Sequence, residues 1–130
     1  MSEKKSVMLI GLKPTVIDFS SPDFANSPGL DAHKIQAGLD KAEEDLKRLG
    51  YDIEMCLTDA GETAEDVVRS RLREKQFDCI IIGAGIRTVA TYFLLFEKLI
   101  NVVHETAPQA KICFNTTPND SPEAVQRWIG

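Results

Sequence analysis

The sequence predicts an α/β protein, a four-stranded parallel sheet with helices on both faces in a three-layer α/β/α arrangement. Three observations predict it. Short, continuous apolar runs recur along the chain, and runs without polar alternation belong to strands covered on both faces. A stretch with the helical apolar period follows each run. The connections are long enough to bring each strand back parallel to the last. The βα pattern repeats four times over residues 1–130, which suits one domain.

The first strand is Val7–Leu12, ended by Lys13-Pro14 because proline cannot donate to a ladder. Residues 13–29 then form a connection far longer than the usual ~2–6 residues of a βα loop. Within it, Val16, Ile17 and Phe19 read as anchors to the body. The spacing of Ile35, Leu39, Ala42, Leu46 and Leu49 predicts a helix over 31–49, capped by Asp31 and stopped at Gly50. Residues 51–58 begin with polar–apolar alternation and predict a half-exposed edge strand. After the Asp59–Glu62 turn, Thr63 and Asp66 stand at capping-box spacing. They open a helix that buries Ala64, Val67, Val68 and Leu72.

Phe77–Ile82 is the most β-branched run and predicts a central strand. Gly83-Ala-Gly-Ile-Arg-Thr88 follows it, and a helix is expected from Thr88 to about Glu105. That helix is apolar well beyond one stripe, which predicts burial on two sides, against the sheet and against a neighbouring segment or a second subunit. Residues 111–115 predict a short fourth strand, Asn115–Asp120 a polar loop, and Ser121-Pro122 the start of a last helix.

The expected strand order is 2-1-3-4. In topology the chain resembles the receiver and flavodoxin class of Rossmann-like folds over nearly its whole length, one βα unit short. The missing unit leaves the fourth strand as an edge. An open edge and an over-apolar helix predict a homodimer through helix 88–105, edge strand 111–115, or both.

Composition and charge limit the function classes. Apolar residues make up 43% and charged residues 27%, as in a soluble globular domain. A net charge of -5 speaks against a nucleic-acid partner. The basic clusters Lys47-Arg48 and Arg69–Lys75 are mixed with acids and read as solvated helix faces. No apolar run approaches the ~20 residues of a membrane span, and no signal-peptide pattern is expected at the start. Cys56, Cys79 and Cys113 each lie in an apolar run. An odd count without short paired spacing predicts free buried thiols in a reducing, cytoplasmic compartment. No zinc-like spacing occurs, and no metal site is expected.

In such a sheet a ligand sits at the carboxyl edge, between the loops after the first and third strands, where the winding reverses. Gly83 and Gly85 would let a ligand approach the backbone. Arg87 and Thr88, near a helix N-terminus, would favour an anion. Lys13 and Ser20 from the first loop, with Asn115, Thr116 and Thr117 from the last, would form the walls. The glycine pair lacks the full dinucleotide fingerprint and closes with no Gly-Lys-Ser/Thr, so a tight strand-to-helix turn is an equally physical reading.

The resemblance to receivers implies acids after the first strand and an acceptor aspartate ending the third. Gly11-Leu12-Lys13 and Gly83 stand there, which argues against phosphoryl transfer of that kind. The resemblance to flavodoxins implies a Ser/Thr-rich loop directly after the first strand. Ser20-Ser21 comes too late, so no flavin or other cofactor is expected. No catalytic residue is identified. The leading expectation is a binding or regulatory module for a small phosphate- or carboxylate-bearing ligand. An enzyme using Asp18, Asp23 or His33 in the same crevice, and a non-catalytic homodimeric scaffold, are the alternatives.

Overall fold

The computed structural model describes residues 4–130. β1 (Ser6–Leu12) lies between β2 (Asp52–Thr58) and β3 (Cys79–Ile82), and β4 (Lys111–Phe114) continues the sheet beyond β3. All pairs are parallel and the order is β2-β1-β3-β4. Val7 is the register point, opposite Ile53 on one side and Cys79 on the other.

Because strand side chains alternate, each strand feeds two cores. Met8, Ile10, Leu12, Ile80 and Ile82 enter a core closed by α2 (Ala64–Glu74) and α4 (Phe93–Thr106). Val7, Leu9, Cys79, Ile81 and Cys113 enter a second, closed by α1 (Ala32–Arg48) and α5 (Ser121–Ile129). Three layers result, with the continuous apolar runs of β1 and β3 at the centre.

The helix boundaries follow local chemistry. The Asp31 carboxylate accepts from the Lys34 amide at 2.8 Å, and Gly50 ends α1 at φ +94°. Leu39, Ala42 and Leu46 are buried as the stripe requires. Leu49 is not, and stands 51% exposed, because it caps the helix past its last turn. The capping box expected of Thr63 and Asp66 does not form. The Thr63 hydroxyl reaches back to the Asp59 carboxylate instead, and Asp59 also accepts from the Gly61 and Thr63 amides. Those hydrogen bonds hold the Asp59 carboxyl below its ordinary pKa.

The helix after β3 begins later than expected. Ala84–Arg87 forms a single turn of its own, α3. The Thr88 hydroxyl donates to the Ala84 carbonyl at 2.7 Å, Val89 is extended, and a 3-10 turn at Ala90–Tyr92 leads into α4 at Phe93. A β-branched pair after a side-chain-to-backbone bond stops the first turn from propagating. Leu95, Leu99, Val102 and Val103 of α4 are buried. Lys98 meets Glu65 of the adjacent α2 at 3.8 Å, and Phe96 packs edge-on against Phe114 with centroids 5.9 Å apart. The apolar excess of this helix is therefore largely absorbed within the chain, and only Phe93 and Leu94 remain exposed on it. Among the described residues no helix is long and apolar enough to cross a membrane.

Ile81→Ala removes a fully buried side chain from a central strand. A loss of about 3–4 kcal/mol is expected in urea unfolding, whereas Leu49→Ala should stay within about 0.5 kcal/mol of the parent.

Candidate functional site

Every strand-to-helix connection ends at the same edge of a parallel sheet, and here those after β1, β3 and β4 surround a cavity of about 480 Å³. That lies within the ~300–1,000 Å³ of small-molecule sites. β1 contributes Leu9, Gly11 and Leu12, the turn after β3 contributes Gly83–Ile86, and Asn115–Asn119 forms another wall. The long connection supplies Ile17, Phe19, Phe24 and Leu30. This connection is not a free coil. Ile17 packs on the core, Phe19 and Phe24 stack with centroids 5.3 Å apart, and the Thr91 hydroxyl donates to Asp23. Of the expected anchors, Val16 alone is exposed. Tyr92 is buried at the boundary, and burial, reinforced by Asp18 and Asp23, raises its phenol pKa.

Asn115 joins the two sides of this edge. Its side chain is buried, and its Oδ1 accepts from the Ala84 amide at 2.8 Å while its Nδ2 donates to the Ser121 hydroxyl at 3.0 Å. The Ser121 hydroxyl in turn donates to the Pro118 carbonyl at 2.8 Å. The loop after β3 and the loop after β4 are thus cross-linked through one amide. Asp120 fixes the rest of that loop by accepting from the Thr116 amide and hydroxyl. Burial pushes the Asp120 carboxyl up, but the hydrogen bonds from Thr116 and Thr117 together hold it below its ordinary pKa.

The residues expected to bind from sequence fall into two groups. Gly83, Gly85, Thr88, Asn115, Thr116 and Thr117 line the cavity, whereas Lys13, Ser20 and Arg87 do not. The Ser20 amide donates to the Asp18 carboxylate at 3.0 Å, as does its hydroxyl, and Lys13 is exposed with its amide bonded to the Thr58 carbonyl. Arg87 lies against β4. Its Nη2 donates to the Asn115 carbonyl at 2.6 Å and its guanidinium sits 5.5 Å from the Phe114 centroid, with Nε buried and unpaired. Stacking and one carbonyl hold this cation, and no carboxylate pairs with it among the described residues.

The two glycines of the turn differ. A Cβ on Gly83 would meet the Ile10 carbonyl oxygen at 3.2 Å, so a side chain there would press on the backbone of β1. A Cβ on Gly85 would meet nothing within 4 Å, and its φ is not positive. Neither backbone nor packing demands glycine at 85, an exposed residue on the cavity lining.

The charges on the lining are Lys34 and Asp23. Lys34 was not among the residues expected to bind. It stands one turn into α1, past its cap, so helix geometry and the path of the 13–29 connection bring it to the cavity. Among the described residues it pairs with no carboxylate. His33 and His104 are exposed and line no part of the cavity. Asp18 and Asp23 engage different partners, and no group of three or more metal-ligating side chains gathers among the described residues. No protein-family model matches the chain, and no curated protein matches it.

Gly85→Ala should stabilise the protein by about 0.5–1 kcal/mol by restricting the unfolded chain, while Gly83→Ala destabilises it; thermal unfolding reads both signs. Asp120 has a depressed folded pKa, so its contribution is full above the ordinary carboxylate range, near pH 4, and is lost as pH falls through the folded value. Asp120→Asn should therefore lower stability at pH 7 and flatten the acid limb of a stability–pH curve.

Proposed function

We propose that the protein is a small binding module that holds a small anionic ligand, carboxylate- or phosphate-bearing, in the carboxyl-edge cavity. One observation carries this reading: a cavity of about 480 Å³ at the topological switch point, largely apolar, opens beside an unpaired lysine and a glycine that nothing else in the fold requires. Lys34 supplies the cation, Gly85 leaves room for the ligand, and Thr117 and Asn119 supply polar groups along the wall. The three buried free thiols suit a reducing, cytoplasmic compartment.

A second copy of the chain at the β4 edge is a separate proposal. It is supported by the exposed Phe93 and Leu94 at the start of the helix that flanks this edge. Sedimentation equilibrium of the parent and of Leu94→Glu tests it, a dimer lost in the variant being the supporting result.

For the cavity, a thermal-shift panel of carboxylates, inorganic phosphate, sugar phosphates and nucleotides is measured on the parent and on Gly85→Leu. A ligand at about a hundred times its dissociation constant adds about 2.7 kcal/mol of stability. The expected outcome is a raised midpoint in the parent that disappears in Gly85→Leu, whose side chain fills the cavity without unfolding the protein. No shift with any compound would leave the edge as a structural junction.

A further inference from the structure

Resting on the binding reading above, we infer that the cavity selects a singly charged carboxylate carried on an apolar body, and that Asp23 turns away doubly charged phosphates. The lining is dominated by aliphatic and aromatic side chains, so most of a bound ligand must be apolar to replace the water it displaces. Its charged residues are one lysine and one aspartate, and their formal charges cancel. One negative charge beside Lys34 can be balanced there, but a second cannot.

Several of the donors around the turn after β3 and the loop after β4 are already committed. Arg87 is held by the Asn115 carbonyl and the Phe114 ring, the Ala84 amide by Asn115, and the Thr116 amide and hydroxyl by Asp120. The turn Ala84–Arg87 has only 4 residues, too few to build the macrodipole of a phosphate-binding helix. A carboxylate needs less: one ammonium and one or two polar neighbours. Asp23 is not a swinging surface charge. The Thr91 hydroxyl and the Ser21 hydroxyl both donate to its Oδ2, which fixes the carboxylate on the lining. A phosphate monoester carries nearly twice the charge of a carboxylate at neutral pH, and with one cation on the lining its second charge is left without a partner while it faces the Asp23 carboxylate.

The test is an amide-detected NMR titration of the whole chain with butanoate, hexanoate, phenylacetate and phenyl phosphate, following the Gly38, Gly85 and Thr88 signals. Two more buried methylenes should make hexanoate bind roughly tenfold more tightly than butanoate. Phenylacetate, which has the same ring and a one-atom linker like that of phenyl phosphate, should bind about fivefold more tightly than phenyl phosphate, the size expected of an exposed charge effect. Asp23→Asn, which preserves the bonds from Thr91 and Ser21, should close that gap. Lys34→Met should weaken hexanoate by about fivefold while keeping the chain-length dependence. Equal binding of phenyl phosphate and phenylacetate by the parent, or a gap unchanged in Asp23→Asn, overturns the selectivity and leaves a binding site standing. Shifts at none of these signals with any compound overturn the binding reading as well.

Discussion

The carboxyl edge of this protein depends on the buried amide of Asn115. A parallel sheet delivers its loops to one edge but does nothing to hold them to each other, since the ladder hydrogen bonds stop where the strands stop. Asn115 carries the connection one step further. It accepts from the Ala84 amide after β3 and donates to the Ser121 hydroxyl at the start of α5. A buried amide that lost one of these partners would leave a desolvated donor or acceptor at a cost of about 1–3 kcal/mol. The two loops therefore move as one wall, and the cavity beside them has a shape before any ligand arrives.

The opposite wall is built on another principle. The connection from β1 to α1 has few backbone ladder partners and holds its place through side chains: Ile17 on the core, Phe19 against Phe24, and Asp23 accepting from Thr91. These ties lie near the surface and are individually weak, so this segment belongs to the low-stability end of the fold. The cavity thus has one wall held by hydrogen bonds through Asn115 and one tethered by side chains.

Much of this was legible in the sequence because it follows from periodicity. The uninterrupted apolar runs at Val7–Leu12 and Cys79–Ile82 imply strands covered on both faces, and that alone constrains the sheet to a centre of β1 and β3 with helices on each side. Asp31 and Gly50 bound α1 by local rules that tertiary structure does not override. What was not legible depended on side-chain choice between neighbours. Thr63 has two acids within reach, Asp59 and Asp66, and bonds the one behind it. Thr88 bonds the Ala84 carbonyl and ends a turn that spacing alone would continue. Lys34 reaches the cavity only because the preceding connection folds back over the first turn of its helix, a path no local rule predicts.

Arg87 is the clearest case, and its partners lie at the end of β4. That strand is an edge of the sheet. Arg127 Nη2 donates to the Phe114 carbonyl at 3.0 Å, and Arg87 Nη2 donates to the Asn115 carbonyl while its guanidinium covers the Phe114 ring. Two arginines thus meet the carbonyls at the end of an edge strand and shield one of its apolar side chains. The guanidinium plane suits both tasks, since it stacks on rings and donates along its edge. A cation recruited to close the sheet is withdrawn from the cavity, and Lys34 is left as the positive charge on the lining. The topology that places the cavity also determines the charge found in it.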